Sequence, residues 1–159
     1  MSEPVQVNSD PRLPRDMPNR ARPDADALYA PFWQCANEGV LRVQSCSSCG
    51  KYQHPPKRRC GNCGSEELGM RQVSGDAQLV SWTLVFQKLT KGFESATPYY
   101  ILLVELVEQA GLFFVSDHPG DDSMPLPLLK QGTPMRCVCE QVDGDFRLPQ
   151  FRFAEERQR

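Results

Sequence analysis

The sequence predicts a mainly β protein with a short helical lead-in, a metal-binding cysteine module and a small closed barrel. Three observations carry this expectation. Two CxxC pairs, Cys46-Ser-Ser-Cys49 and Cys60-Gly-Asn-Cys63, stand ten residues apart. Five strand-like runs follow from Arg71 onward in about 80 residues. No long helical period interrupts those runs, which favours a sheet closed on itself over a layered α/β fold.

Residues 1–23 read as a disordered or partner-wrapped arm. Pro4, Pro11, Pro14, Pro18 and Pro23 alternate with Arg12, Arg15, Arg20 and Arg22. Proline at that density blocks helix and sheet, and few apolar groups remain to dock. Glu3, Asp10 and Asp16 argue against a transit peptide, which is acid-poor and amphipathic.

Residues 24–39 form the helical lead-in. Asp24 can cap it, Leu28, Phe32 and Ala36 recur every fourth residue, and Gly39 can end it. Pro31 either splits the segment or begins a second helix at its first position. Phe32 and Trp33 are large for so short an element and must bury against the rest of the chain or another protein.

Residues 40–70 are the cysteine module. A CxxC turn places two thiolates on one edge of a tetrahedron, and Zn²⁺ takes four such ligands about 2.3 Å away. Gly50 and Gly64 follow the two pairs and let the backbone curl toward the sulfurs. Cys46, Cys49, Cys60 and Cys63 therefore predict a structural zinc ribbon with no vertex left for substrate. A redox CxxC needs one pair, so two matched pairs favour metal. An iron centre would use the same ligands. His54 lies between the pairs but is not needed to complete the set, and reads as packed or surface. Lys57, Arg58 and Arg59 form one basic cluster, either a solvated loop or a site for phosphates on nucleic acid or coenzyme A.

Residues 71–159 supply the strands. Leu79 to Phe86 alternates, with Val80, Trp82, Leu84 and Phe86 on one face. Tyr99 to Val107 is almost continuously apolar, Gly111 turns, and Leu112 to Ser116 returns. Met135 to Val142 is the fourth strand, Asp143-Gly144 marks a hairpin, and Asp145 to Leu148 begins the fifth. Cys137 and Cys139 share a strand face, where a disulfide is strained, and read with Cys35 as small buried hydrophobes. His118 ends a strand without an identifiable nucleophile beside it. No nucleophile elbow, phosphate-cradling loop or metal-hydrolase signature is present.

Composition bounds the function classes. The 159 residues suffice for one ordinary domain or two small ones. Lys plus Arg is 18 against 20 for Asp plus Glu, a net charge of −2. That balance counts against a dedicated nucleic-acid binder. No run approaches the roughly 20 apolar residues of a membrane span. No charged-then-apolar segment opens the chain, so the expected setting is the cytoplasm, without a membrane partner. Seven cysteines, an odd number, fit metal in a reducing compartment better than disulfides.

The ordered motifs resemble the acyl-CoA-associated OB-fold family first catalogued as a domain of unknown function, number thirty-five. The matching stretches are Cys46-Ser-Ser-Cys49-Gly50, Pro55-Pro56-Lys57-Arg58, Cys60-Gly-Asn-Cys63, Val73-Ser74-Gly75, Ser81-Trp82-Thr83, Pro98-Tyr99, Val104-Glu105-Leu106, Gly132-Thr-Pro-Met135 and Leu148-Pro149-Gln-Phe151. They span about residues 28–153. The resemblance implies a rubredoxin-like ribbon packed on a five-stranded OB-fold barrel. It also implies a non-catalytic subunit beside a thiolase-fold enzyme, stabilising it and helping to shape its acyl-CoA channel. That partner would act on CoA thioesters by thiolysis or by retro-aldol cleavage, as in sterol side-chain degradation, in an α2β2 assembly. Ala77 and Phe86 depart from the glycine and histidine frequent in the family, which leaves the substrate open. Phe32, Trp33, Phe93 and Tyr100 could form an interface core. Competing readings are a nucleic-acid-binding module of ribbon and OB-fold and a stand-alone acyl-CoA enzyme.

Overall fold

The computed structural model describes residue 23 and residues 26–87, 97–119, 126–144 and 146–154. The arm, the proposed Asp24 cap, Phe93 and Asp145 lie outside the described residues.

The lead-in condenses to one helix, α1, Ala30–Asn37. Pro31 sits in its first turn, where a missing N–H costs no hydrogen bond. Asp26 organises the approach, its carboxylate accepting from the amides of Leu28 and Tyr29 at 2.9 and 3.0 Å. Gly39 ends the helix at φ 78°, as its position predicts.

Three strands form the ribbon sheet: β1 Arg42–Cys46, β2 Tyr52–Gln53 and β3 Leu68–Gln72. Their order is β2-β1-β3, all antiparallel. Five more form the barrel sheet: β4 Asp76–Val85, β5 Tyr99–Leu106, β6 Phe113–Pro119, β7 Pro134–Asp143 and β8 Phe146–Phe153. The order is β6-β5-β4-β7-β8, every pair antiparallel, with the chain crossing over from edge strand β6 to seat β7 beside β4; the strand runs read from the sequence all reappear. Gly144 supplies the left-handed turn between β7 and β8 at φ 53°.

No backbone ladder joins the two outer strands, β6 and β8. Side chains close this seam instead. The Ser116 hydroxyl accepts from the Phe151 amide at 2.8 Å, and the Gln150 carbonyl oxygen accepts from the Asp117 amide at 3.0 Å. Arg152 donates to the Asp117 backbone oxygen at 2.5 Å and pairs with Glu140 at 2.5 Å.

The core lies between the barrel wall, the ribbon and α1. Leu79, Leu102, Val104, Leu106, Met135, Phe151 and Phe153 fill the barrel, while Leu41 and Val43 join from the ribbon and Phe32 from the helix. Cys35, Cys137 and Cys139 are buried free thiols, as expected. Trp33 packs edge-on against Phe32 and tilts onto Phe146. Phe32 is buried in the chain's own core, and Trp33 and Tyr100 pack against it half-buried. Strand β4 also differs from a simple alternation. A bulge between Leu79 and Ser81 resets its register, so the face of Ala77 and Leu79 is continued by Trp82, opposite the buried Leu102, and Leu84; Trp82 and Phe86 are still 38% and 71% exposed.

Candidate metal centre and its surroundings

The two cysteine knuckles fold alike because their local sequences are alike. In each, the first cysteine's amide donates to the carbonyl five residues on: Cys46 to Lys51 at 2.9 Å, and Cys60 to Ser65 at 2.8 Å. In each, the glycine amide returns to the first cysteine's carbonyl, Gly50 at 2.8 Å and Gly64 at 2.9 Å. Both glycines sit near φ 75°, a region a side chain resists.

These turns bring the Sγ atoms of Cys46, Cys49, Cys60 and Cys63 within 4.8 Å of one another. The Cys46–Cys63 and Cys49–Cys60 sulfurs are each 3.6 Å apart. A tetrahedron with metal–sulfur bonds near 2.3 Å has edges of about 3.8 Å, so the set fits Zn²⁺. The amides of Cys63 and Asn62 aim at the Cys60 sulfur and pull its thiol down to about 6. Such amide donors stabilise a thiolate in the form a metal binds. Ser48 ties the two knuckles together, bonding Ser65 at 2.9 Å and Glu67 at 3.1 Å. When bound, a metal here supplies a crosslink and no reactive position, because all four corners are thiolate.

His54 is not a member of this set. Its ring stacks on Phe114 at 3.9 Å and 14°, and lies 5.1 Å from Phe32. Burial lowers its pKa to about 4. The histidine therefore wedges the ribbon onto the barrel as a neutral aromatic.

Lys57, Arg58 and Arg59 are brought together at the surface, all three exposed. Their loop is held from beneath by Gln44, which donates to the Lys57 carbonyl at 3.0 Å and accepts from its amide at 2.8 Å. Gln53 bonds both Gln44 and the Arg59 carbonyl. Arg59 pairs with Glu66 at 2.7 Å, but both side chains are mostly solvated, which limits the pair to under about 1 kcal/mol. The structuring glutamines, Gln44, Gln53 and Gln109, carry no sequence signal beyond being polar residues in strand or turn runs.

His118 is 4% exposed and lies edge-on to Phe153, inside the barrel wall. No helix among the described residues is long and apolar enough to cross a membrane.

A closed four-thiolate ribbon wedged onto a five-stranded side-chain-sealed sheet defines the zinc-ribbon–OB-fold class. Residues 33–69 match the model of the ChsH2 rubredoxin-like zinc ribbon domain, and residues 70–140 that of the ChsH2 C-terminal OB-fold domain. The chain belongs to this ChsH2-type DUF35 family.

Among known proteins, it is 29% identical over 133 residues to a Thermomonospora curvata protein named "Probable enoyl-CoA hydratase alpha subunit". It is 30% identical over 77 residues to a "DUF35 domain-containing scaffold protein" of Pyrococcus furiosus. Those alignments take in 84% and 48% of this chain, but only 40% and 56% of the two relatives. Among solved structures, a chain of one titled "Ltp2-ChsH2(DUF35) aldolase" aligns with a TM-score of 0.71 and 29% identity, over 84% of this chain and 99% of that one. A DUF35-family protein of unknown function from Sulfolobus solfataricus shares the fold, with a TM-score of 0.52, 19% identity, and coverage of 75% and 87%.

Proposed function

We propose that this chain is a non-catalytic accessory subunit of an enzyme that acts on acyl-CoA thioesters. In this reading residues 40–70 are the ribbon, with structural zinc on Cys46, Cys49, Cys60 and Cys63, and residues 71–159 the OB-fold domain. The partner is a thiolase-fold subunit working by retro-aldol cleavage or thiolysis, and the natural assembly is α2β2 about the partner's two-fold axis. The chain stabilises that partner and lends a wall to its acyl-CoA channel.

One observation carries the reading: the alignment with a chain of an aldolase structure runs through ribbon and barrel together and takes in 99% of that chain. The surface chemistry supports it over nucleic-acid binding. OB-folds bind oligonucleotides on the face of their second and third strands, here β5 and β6. That face carries Ile101, Leu103, Glu105, Phe113, Val115 and Asp117 in register. It is apolar and acidic, where a polyanion needs cations.

The test is co-expression of the full chain with the thiolase-fold enzyme of its gene neighbourhood, followed by size-exclusion chromatography with light scattering. Co-elution at the α2β2 mass is expected. Separate elution at micromolar concentration overturns the partnership.

The finer proposal is that Lys57, Arg58 and Arg59 hold the phosphates of coenzyme A near the interface. Arg58 and Arg59 can grip a phosphate with paired hydrogen bonds. Replacing both by glutamate should raise the complex's KM for acyl-CoA and leave kcat unchanged. An unchanged KM, or an equal loss with a pantetheine substrate lacking the nucleotide, removes the role.

A further inference from the structure

A sheet edge exposes a row of unpaired N–H and C=O groups, and proteins blunt such edges. This chain blunts three. The Gln109 side-chain amide accepts from the Tyr52 N–H at 2.9 Å and donates to the Tyr52 carbonyl at 3.0 Å, capping β2. Gln150 and Arg152 cap Asp117 on β6. On β8, Ser116 takes the Phe151 amide, Asn37 takes the Arg147 amide, and Pro149 has none to offer.

Strand β4 is treated differently. It pairs with β7 only from Asp76 to Gln78, and its last bonds on that side run from Leu79 to Thr133 and from Gly132 to Leu79. It pairs with β5 as far as Val85. The Leu106 amide bonds toward β6, so by alternation the odd residues of β5 face β4. Ser81, Thr83 and Val85 stand opposite Leu103, Ile101 and Tyr99, so their backbones point inward to β5. The N–H and C=O of Trp82 and Leu84 then point away from the sheet. Among the described residues nothing bonds them.

The segment that owns this open edge, Ser81-Trp82-Thr83-Leu84-Val85-Phe86, carries no charge and no proline. Its residues are mostly strong strand formers. Ser81 and Thr83 are exposed, and so are the Trp82 and Phe86 rings. Edges at Met70–Gln72 and Phe113–Val115 are also open, but Arg71 guards the first and the Asp117 cap abuts the second. An uncharged aromatic edge left bare is an aggregation template.

We propose that the outer edge of β4, from Ser81 to Phe86, receives an extended strand of the partner enzyme by β-strand addition. The incoming backbone bonds the N–H and C=O of Trp82 and Leu84, and an apolar side chain of the added strand covers the Trp82 ring. This rests on the accessory-subunit reading. A second copy of this chain is the weaker occupant, because two outward residues per edge offer far less than the roughly 800 Å² per partner of a stable interface. The edge therefore belongs to a larger contact, which a larger partner supplies.

The experiment uses the reconstituted complex with the co-eluting thiolase-fold subunit. By NMR hydrogen exchange, the Trp82 and Leu84 amides should exchange freely in the isolated chain and slow by roughly 100-fold in the complex. The Met70 and Gln72 amides should not change. Leu84→Pro deletes one outward donor without touching the β5 ladder, and should weaken the complex by roughly tenfold or more, equal to about 1.4 kcal/mol. Thr83→Glu should weaken it too, with zinc content and Tm unchanged. A complex whose Trp82 and Leu84 amides stay unprotected, or full affinity in both variants, overturns edge pairing while leaving the accessory role intact. Concentration-dependent protection of the isolated chain transfers the edge to a second copy and overturns the proposal. Failure of the wild-type chain to form any complex removes the accessory role and this inference together.

Discussion

His54 and the Glu140–Arg152 pair show how single residues hold this molecule together. Burial between Phe32 and Phe114 keeps the His54 imidazole neutral down to about pH 4, against an ordinary value of 6.5. The folded state thus refuses a proton that the unfolded chain accepts. The resulting stability is intact above pH 6.5 and drains away as pH falls toward 4, by about 3 kcal/mol at the limit. His54→Phe should keep the stack and abolish that part of the pH dependence. Urea melts of the two proteins between pH 4 and 7 measure the difference, which also cancels the carboxylates both share. Equal slopes would show that the ring is solvated. Arg152 and Glu140 are only 11% and 10% exposed and lie 2.5 Å apart. Glu140→Ala leaves a guanidinium with a buried charge, and should cost about 3 kcal/mol in denaturant unfolding. A loss below about 1 kcal/mol would place the pair in solvent.

At the scale of elements, the ribbon and the barrel obey different physics. The ribbon sheet is small, and its two knuckles need the metal to offset the conformational entropy of their turns. Chelation, or Cys49→Ala with Cys63→Ala, should release one metal per chain and unfold residues 42–72 while the barrel strands persist. Elemental analysis with far-UV dichroism checks both halves of that expectation. A native protein with no metal overturns it. Among the described residues the barrel sheet has four ladders and no fifth between β6 and β8, whose seam is held by side-chain bonds through Ser116, Gln150 and Arg152. The strands themselves were legible as apolar runs between glycine turns. The seam was not, because a serine or glutamine in a strand reads as an outward polar residue until its neighbours are known. The bulge at Val80 was hidden for the same reason: one extra residue changes no composition, yet it moves Trp82 and Leu84 onto the face of Ala77 and Leu79, opposite Leu102 and Tyr100.

At the scale of the whole molecule, the accessory-subunit proposal predicts no chemistry in the chain itself. The metal corner is fully thiolate, and the one tight basic cluster rides on a loop whose backbone is held by Gln44. The isolated chain is expected to show no turnover on acyl-CoA substrates, assayed for thiolysis, hydration and aldol cleavage. Activity abolished by one point mutation would reveal a site. Trp33→Ala belongs with stability rather than with assembly, since the ring packs on Phe32 and Phe146. Its loss should lower Tm, because an aromatic truncation leaves a cavity of roughly 3 kcal/mol. Partner affinity is expected to follow β4 instead.

The sequence by itself determined the four-cysteine cluster, the order of ribbon before barrel, and the positions of the five barrel strands, though not of the three ribbon strands. Those properties are local: a CxxC turn, a left-handed glycine and an alternating apolar run each act over a few neighbouring residues. Only the tertiary structure decided which aromatics are core and which are surface, how the barrel seam closes, and which strand edge stays open. Each of those depends on residues far apart in the chain meeting in space. Ser116 finds Phe151, His54 finds Phe114, and β7 stops short of Trp82, through packing that no local window contains.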